Sequence, residues 1–243
     1  MTRVLVSFTF LALILAGAAV GQDLKKDKPA PKPAPVVPPL KGESKTITLF
    51  DGKTLDGWEG HEKYWSVKDG VIIGKNTKPI STSTYLLTKE KFTDFRVTFD
   101  FKLAESEMHS GISFWGKVNP NVVKNPEADR SKFTYQGHLV MFPSGWGMYD
   151  LYRRNGLPVN GAAGKKVGKQ HDWNAIEVLA QGNRVRVAAN GTEIVDWRDP
   201  LPEMVGAGPI GLQLHSNKVP QEVQFKNLKL ETFPSVDKLI TVK

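Results

Sequence analysis

The sequence predicts an all-β protein, a sandwich of two packed antiparallel sheets, and three observations carry the prediction. About a dozen short runs rich in Val, Ile, Phe, Tyr and Trp are separated by Gly, Asn and Asp turn signals. The run FRVTFDFKLA at 95–104 alternates Phe95, Val97, Phe99, Phe101 and Leu103 with Arg96, Thr98, Asp100 and Lys102, the period of two of a half-buried strand. No segment sustains a helical period. A barrel is the other architecture this pattern allows; a propeller would need an internal repeat, and there is none.

In chain order, residues 1–21 pair one charge, Arg3, with the apolar run VLVSFTFLALILAGAAV and small residues before Gly21, which reads as a secretory signal cleaved after Gly21. The run is short for a membrane span and no basic stop-transfer cluster follows it, so no transmembrane segment is expected in the mature chain. Residues 22–45, rich in Pro, Lys and Ala, read as an extended disordered spacer. The folded domain is expected over 46–235, with 236–243 as a C-terminal tail.

Within the domain, ITLF leads into the turn DGKTLDGW, and YWSV and VIIG flank Lys68-Asp69-Gly70, a hairpin signal. After the long alternating strand come SGISFWG (110–116), the polar Pro/Asn-rich loop 117–133, YQGHLVMF (135–142) and GMYDLYR (147–153). A loop of that length is often a functional rim. WNAIEVLAQ, RVRVAA and TEIVDW (173–197) form a meander with turns at Gln181-Gly182-Asn183 and Ala189-Asn190-Gly191, followed by PIGLQLH (209–215) and EVQFKNLKLE (222–231).

The formal charge is +8, but from residue 46 onward 26 basic side chains face 22 acidic ones, a net of +4 with the signs interspersed. That pattern lacks the basic stripe nucleic-acid binding needs. The absence of cysteine excludes disulfides and thiolate metal sites, so a hydrophobic core must hold the fold.

The phrases LFDGKTLDGW (49–58), YWSVKDGVIIG (64–74), YLLTKEKFTDFRVTFDFKL (85–103), SGISF (110–114), WNAIEVLAQGNRVRVAANGTEIVDW (173–197), GPIGLQLH (208–215) and VQFKNLKL (223–230) resemble, in order and spacing, the 3-keto-disaccharide hydrolase domain family. The resemblance implies a concanavalin A-like jelly-roll β-sandwich in exported proteins of glycan-degrading bacteria. Members commonly carry an acid in a phrase such as Gly-Tyr-Glu-Val-Gln, where this chain reads Gly137-His138-Leu139-Val140. His138 is read as standing in the acid's place, and His109 replaces an Asn that commonly precedes Ser-Gly-Ile.

Alternation along the strands suggests one polar face built from His109, Ser113 and Trp115, from Gln136 and His138, from Asp150, Tyr152 and Arg154, and from Gln213 and His215. The resemblance implies a substrate oxidised at C3, whose keto group acidifies the C2 hydrogen, so that a base removes it and the C1 oxygen leaves by β-elimination before water adds. Such chemistry needs a base, an electrophile for the enolate and an acid for the leaving group. His138 or Asp150 is the expected base, Arg153 or Arg154 the enolate partner and His215 the acid. Trp115, Gln136, Trp146, Tyr152 and Gln213 are expected to bind the sugar. A divalent metal held by His109, His138, Asp150 and His215 is the variant in which a cofactor polarises the keto oxygen. The alternative function is a tethered lectin-like module that binds glycans without cleaving them.

Overall fold

The computed structural model describes residues 33–118, 132–143, 147–152, 155–157 and 167–243. The expected signal, residues 22–32 of the spacer and most of the long loop lie outside the described residues.

The strands, numbered in chain order, form two antiparallel sheets of eight and seven strands. The first sheet runs β13 (Thr192–Arg198), β12 (Arg184–Ala189), β11 (Asn174–Gln181), β6 (Phe95–Glu105), β15 (Gln221–Thr232), β4 (Val71–Asn76) and β3 (Trp65–Lys68), with β1 (Lys45–Thr48) also paired to β15. The second runs β10 (Asn155–Gly156), β9 (Gly147–Asp150), β8 (Tyr135–Phe142), β7 (Ser110–Val118), β14 (Gly211–Leu214), β5 (Thr84–Thr88) and β2 (Trp58–Glu59). This is the expected two-sheet jelly-roll sandwich.

The alternation of β6 does what its sequence predicts. Phe95, Val97, Phe99, Phe101 and Leu103 are buried between the sheets, and Phe101 meets Phe142 of β8 edge to face at 4.5 Å. Asp69-Gly70 and Asn190-Gly191 both adopt positive φ, at 50° and 76° and at 50° and 84°, the backbone that two-residue hairpins require. Asn227, at φ 57°, sits in a register shift of β15. The strand thereby serves β4 through residues 221–225 and β1 through 229–232. Strand β5 escaped the strand pattern because it is buried along its whole length and so shows no alternation.

The described segments that flank the expected domain depart from expectation on both sides. Pro35 O and Val37 N are hydrogen-bonded by Asn183, so the end of the spacer is pinned to the first sheet. The expected tail is docked on the outer face of that sheet. The buried Glu177 carboxylate accepts from Ile240 N, Thr241 N and Thr241 Oγ1, and Arg96 donates to the carbonyls of Val236 and Lys238. Leu239 packs on Leu179 and Ala188.

Candidate functional site

The outer face of the second sheet is set by pairing register. Leu139 lies opposite Ser113, Ser113 opposite Gly211, and Gly211 opposite Leu87; one step along, Met141 faces Gly111 and Gln213 faces Tyr85. The apolar side chains Tyr85, Leu87, Phe133, Tyr135, Leu139, Met141 and Leu151 pack together in a cluster separate from the inter-sheet core. Gln213 Nε2 donates to Tyr85 Oη at 3.0 Å. Two polar atoms in this row, Ser113 Oγ and Gln213 Oε1, are buried without a hydrogen-bond partner. Native interiors rarely leave such atoms unmet.

The same row ends in two histidines. Beyond the ends of β7 and β14, the His109 and His215 rings meet edge to face, with centroids 4.5 Å apart and planes inclined at 62°. Burial first, and then the neighbouring His215, pull the His109 imidazole down to about 4. Burial also lowers His215, opposed by the carbonyl of Ser216, which lies 2.5 Å from Nδ1. A carbonyl can only accept, so Nδ1 carries the hydrogen and Nε2 keeps its lone pair. Two neutral imidazoles side by side are a proton acceptor and a relay at neutral pH.

His138 and Asp150 are not on this face, which corrects the expected common polar surface. His138 shares its side of β8 with Val140 and Phe142, inside the sandwich. Its ring stacks near Phe114 and meets Trp115 and Trp197, and its Nε2 donates to Asp199 Oδ2 at 2.6 Å. Asp150 pairs with His138 across β8 and β9 and is likewise buried, accepting from Tyr152 N at 2.9 Å. The physical reason is that the apolar residues taken for core, Leu139 and Met141, line the outer face, while the other parity of β8 faces inward.

Trp115 is also a correction. It has φ 54° in a register shift between Phe114 and Lys117, which turns its ring into the core despite the parity it shares with Ser113. Its indole donates to Thr93 O at 2.6 Å, and its carbonyl accepts from Tyr152 Oη at 2.8 Å, so Tyr152 is tied to the core cluster. Gln136 lies beyond this bulge opposite Lys117, half-buried. Gln213 and His215 stand where expected. Trp146, Arg153 and Arg154 lie outside the described residues.

The proposed metal ligands do not converge. His138 pairs with Phe114, five residues along β7 from His109, which is roughly 16 Å at about 3.3 Å per residue. Among the described residues, no group of three or more His, Asp or Glu is arranged to hold a metal ion. Alternation alone did not reveal Tyr85 or Asp199. Tyr85 sits in the strand without a pattern, and Asp199 follows β13 in a turn, where Leu201 N binds its Oδ1 at 2.8 Å.

Residues 45–231 match the model of the 3-keto-alpha-glucoside-1,2-lyase-like domain. The chain belongs to that family. It is therefore a carbohydrate-active domain. A comparison with curated protein sequences gives no match. Among solved structures, two proteins of Parabacteroides distasonis ATCC 8503 provisionally described as glycosyl hydrolases share the fold. One is 19% identical with a TM-score of 0.54, covering 78% of this chain and 100% of its own. The other is 20% identical with a TM-score of 0.51, covering 78% and 94%. A Bacillus licheniformis β-glucanase matches at 12% identity and a TM-score of 0.51, covering 80% of this chain and all of its own. In the lyase-like family's phrase Gly-Tyr-Glu-Val-Gln, matched glycine to glycine at Gly137, the acid falls on Leu139, whose side chain lines the outer face, and not on His138.

Proposed function

We propose that this lyase-like domain is an exported enzyme that cleaves 3-keto-glycosides, and that the His109–His215 pair supplies the proton transfers. The observation that carries the reading is the row itself: two imidazoles in edge-to-face contact, 4.5 Å apart and both held toward the neutral form, at the end of a face where Ser113 Oγ and Gln213 Oε1 have no hydrogen-bond partner. His109 takes the C2 proton of the oxidised sugar as its electron pair moves onto the C3 oxygen. Collapse of the enolate expels the C1 oxygen, which receives its proton from the imidazole pair, and water then adds across the C1–C2 double bond. Gln213 is two residues from His215 on the same face, about 7 Å away, and holds a sugar hydroxyl through Oε1. Export is supported by residues 1–21, which carry the signal pattern.

Incubating the folded chain with 3-keto-glucosides, with and without chelator, tests the reading. Release of aglycone by the native chain and its loss in His109→Gln and His215→Asn are expected. A native chain that releases nothing under either condition overturns it.

A second reading is favoured by one observation. The middle of the face is apolar, with Leu87, Leu139 and Met141 where a catalytic acid would stand, so a glycan could be held without being cleaved. Retention on an immobilised glycan without turnover would select that reading.

A further inference from the structure

The outer face of the first sheet carries a second feature, remote from the histidine row. Arg184, Arg186 and Arg198 line a cavity of about 270 Å³ whose walls are the segment 36–39 on one side and Asp237 on the other. Both walls are fixed. Asn183 bonds Pro35 O and Val37 N, and Gln181 Nε2 holds Pro234 O at 2.8 Å while Arg96 holds the carbonyls of Val236 and Lys238.

The three guanidinium groups differ in what they bind. Arg184 makes a two-point pair with Asp196, at 2.8 and 2.7 Å, and gives Nη1 to Asp237 Oδ2 at 3.4 Å. Arg198 gives Nη1 to Asn183 Oδ1 at 3.0 Å. Arg186 has a side chain only 11% exposed, yet its Nε and Nη2 are buried without a hydrogen-bond partner. The nearest carboxylate, Asp237 Oδ1, stands off at 3.4 Å from Nη2 on a side chain that is 67% exposed. Nε and Nη2 form the edge of a guanidinium that grips a planar oxyanion with two parallel hydrogen bonds. Leaving that edge buried without hydrogen bonds is unfavourable.

We propose that this cavity is an anion subsite that takes the acidic group of a charged glycan, a uronate carboxylate or a sulfate ester, on the fork of Arg186. Its volume lies at the small end of ligand pockets and suits one sugar residue. Lying on the opposite sheet from His109 and His215, it anchors an acidic polymer without occupying the reacting face, and it does not depend on the proposed reaction.

Calorimetric titration of the folded chain at low salt with glucuronate, sulfate and glucose tests it. Both anions, or one of them, should bind and glucose should not, with affinity falling as salt rises. Arg186→Gln should weaken binding at least tenfold, Asp237→Asn should strengthen it by removing the competing carboxylate, and His109→Gln should leave it unchanged. Sulfate displacing glucuronate at the lower concentration assigns the site to a sulfate ester, and the reverse assigns it to a uronate. Failure of both anions to bind, or equal binding by the native chain and a folded Arg186→Gln variant, overturns the proposal.

Discussion

His138 on the second sheet and His109 at its edge each meet one partner side chain, and the two pairs have opposite fates. His138 turns inward, is enclosed by Phe114, Trp115 and Trp197, and meets a carboxylate at 2.6 Å. His109 turns outward, is only partly buried, and meets another imidazole. The first pair joins strands, because Asp199 also receives Leu201 N and its own amide bonds Asn183 O, which ties the end of β13 to β8. The second joins nothing that the fold requires. A histidine with a buried acid partner is thus part of the framework here, whereas the pair without one is free to move protons.

The largest effect that would break this contrast is on stability. His138→Leu leaves Asp199 buried and without its partner, and truncating one member of a buried pair costs about 3–5 kcal/mol. Urea unfolding should show that loss. A variant as stable as the native chain would mean that the His138–Asp199 pair is not structural.

His109→Gln should do the reverse. With one ring partly exposed and no carboxylate partner, its replacement should move the unfolding midpoint little. Turnover of a 3-keto-glycoside should fall by about 100-fold or more, the scale of a lost general base. If the two variants exchange phenotypes, the roles of the pairs are exchanged.

The pH dependence sharpens the same contrast. His109 takes up its proton at about 4 in the folded chain, against an ordinary value of 6.5. Between those values the unfolded chain binds a proton that the folded chain refuses, so stability is full above about 6.5 and declines as pH falls toward 4. Turnover should rise through pH 4 and hold level toward neutrality. In His109→Gln the contribution of this group to the stability profile should vanish, measured as a flatter unfolding midpoint between pH 4 and 6.5.

These contrasts also show what the sequence could convey. Strand identity was legible wherever one face is buried and the other wet, as in β6, and the paired positive-φ turns were legible from Asp-Gly and Asn-Gly. The site was harder because it lies on a sheet whose two faces are both apolar. On β8, Leu139 and Met141 look like core and Val140 and Phe142 do too, so parity cannot say which side His138 takes. On β7 a bulge at Trp115 reverses the side of every residue inferred by counting past it. Gln213 and His215 were placed well because β14 is regular and Leu212 and Leu214 fix its inner side. The burial of Arg96 and Glu177 on an outer face was not legible from alternation, because it comes from the docked segment 236–241 that they hold by hydrogen bonds.

The smallest expected effect concerns Tyr152, whose sequence position suggested sugar binding. Its hydroxyl is committed to the Trp115 carbonyl at 2.8 Å, and its ring lies 6.4 Å from that of His138. Burial first, then the charges of Asp150 and Asp199, push its ionisation upward, so the hydroxyl stays a donor through the neutral range. Tyr152→Phe removes that donor while keeping the ring, and a single neutral hydrogen bond contributes about 0.5–1.5 kcal/mol. The variant should lose stability on that scale in urea and keep native turnover and KM. A raised KM at unchanged stability would instead move Tyr152 from the framework of the buried pair to the sugar-binding surface, and would place the boundary between the two histidine environments closer to β9 than the hydrogen bonds indicate.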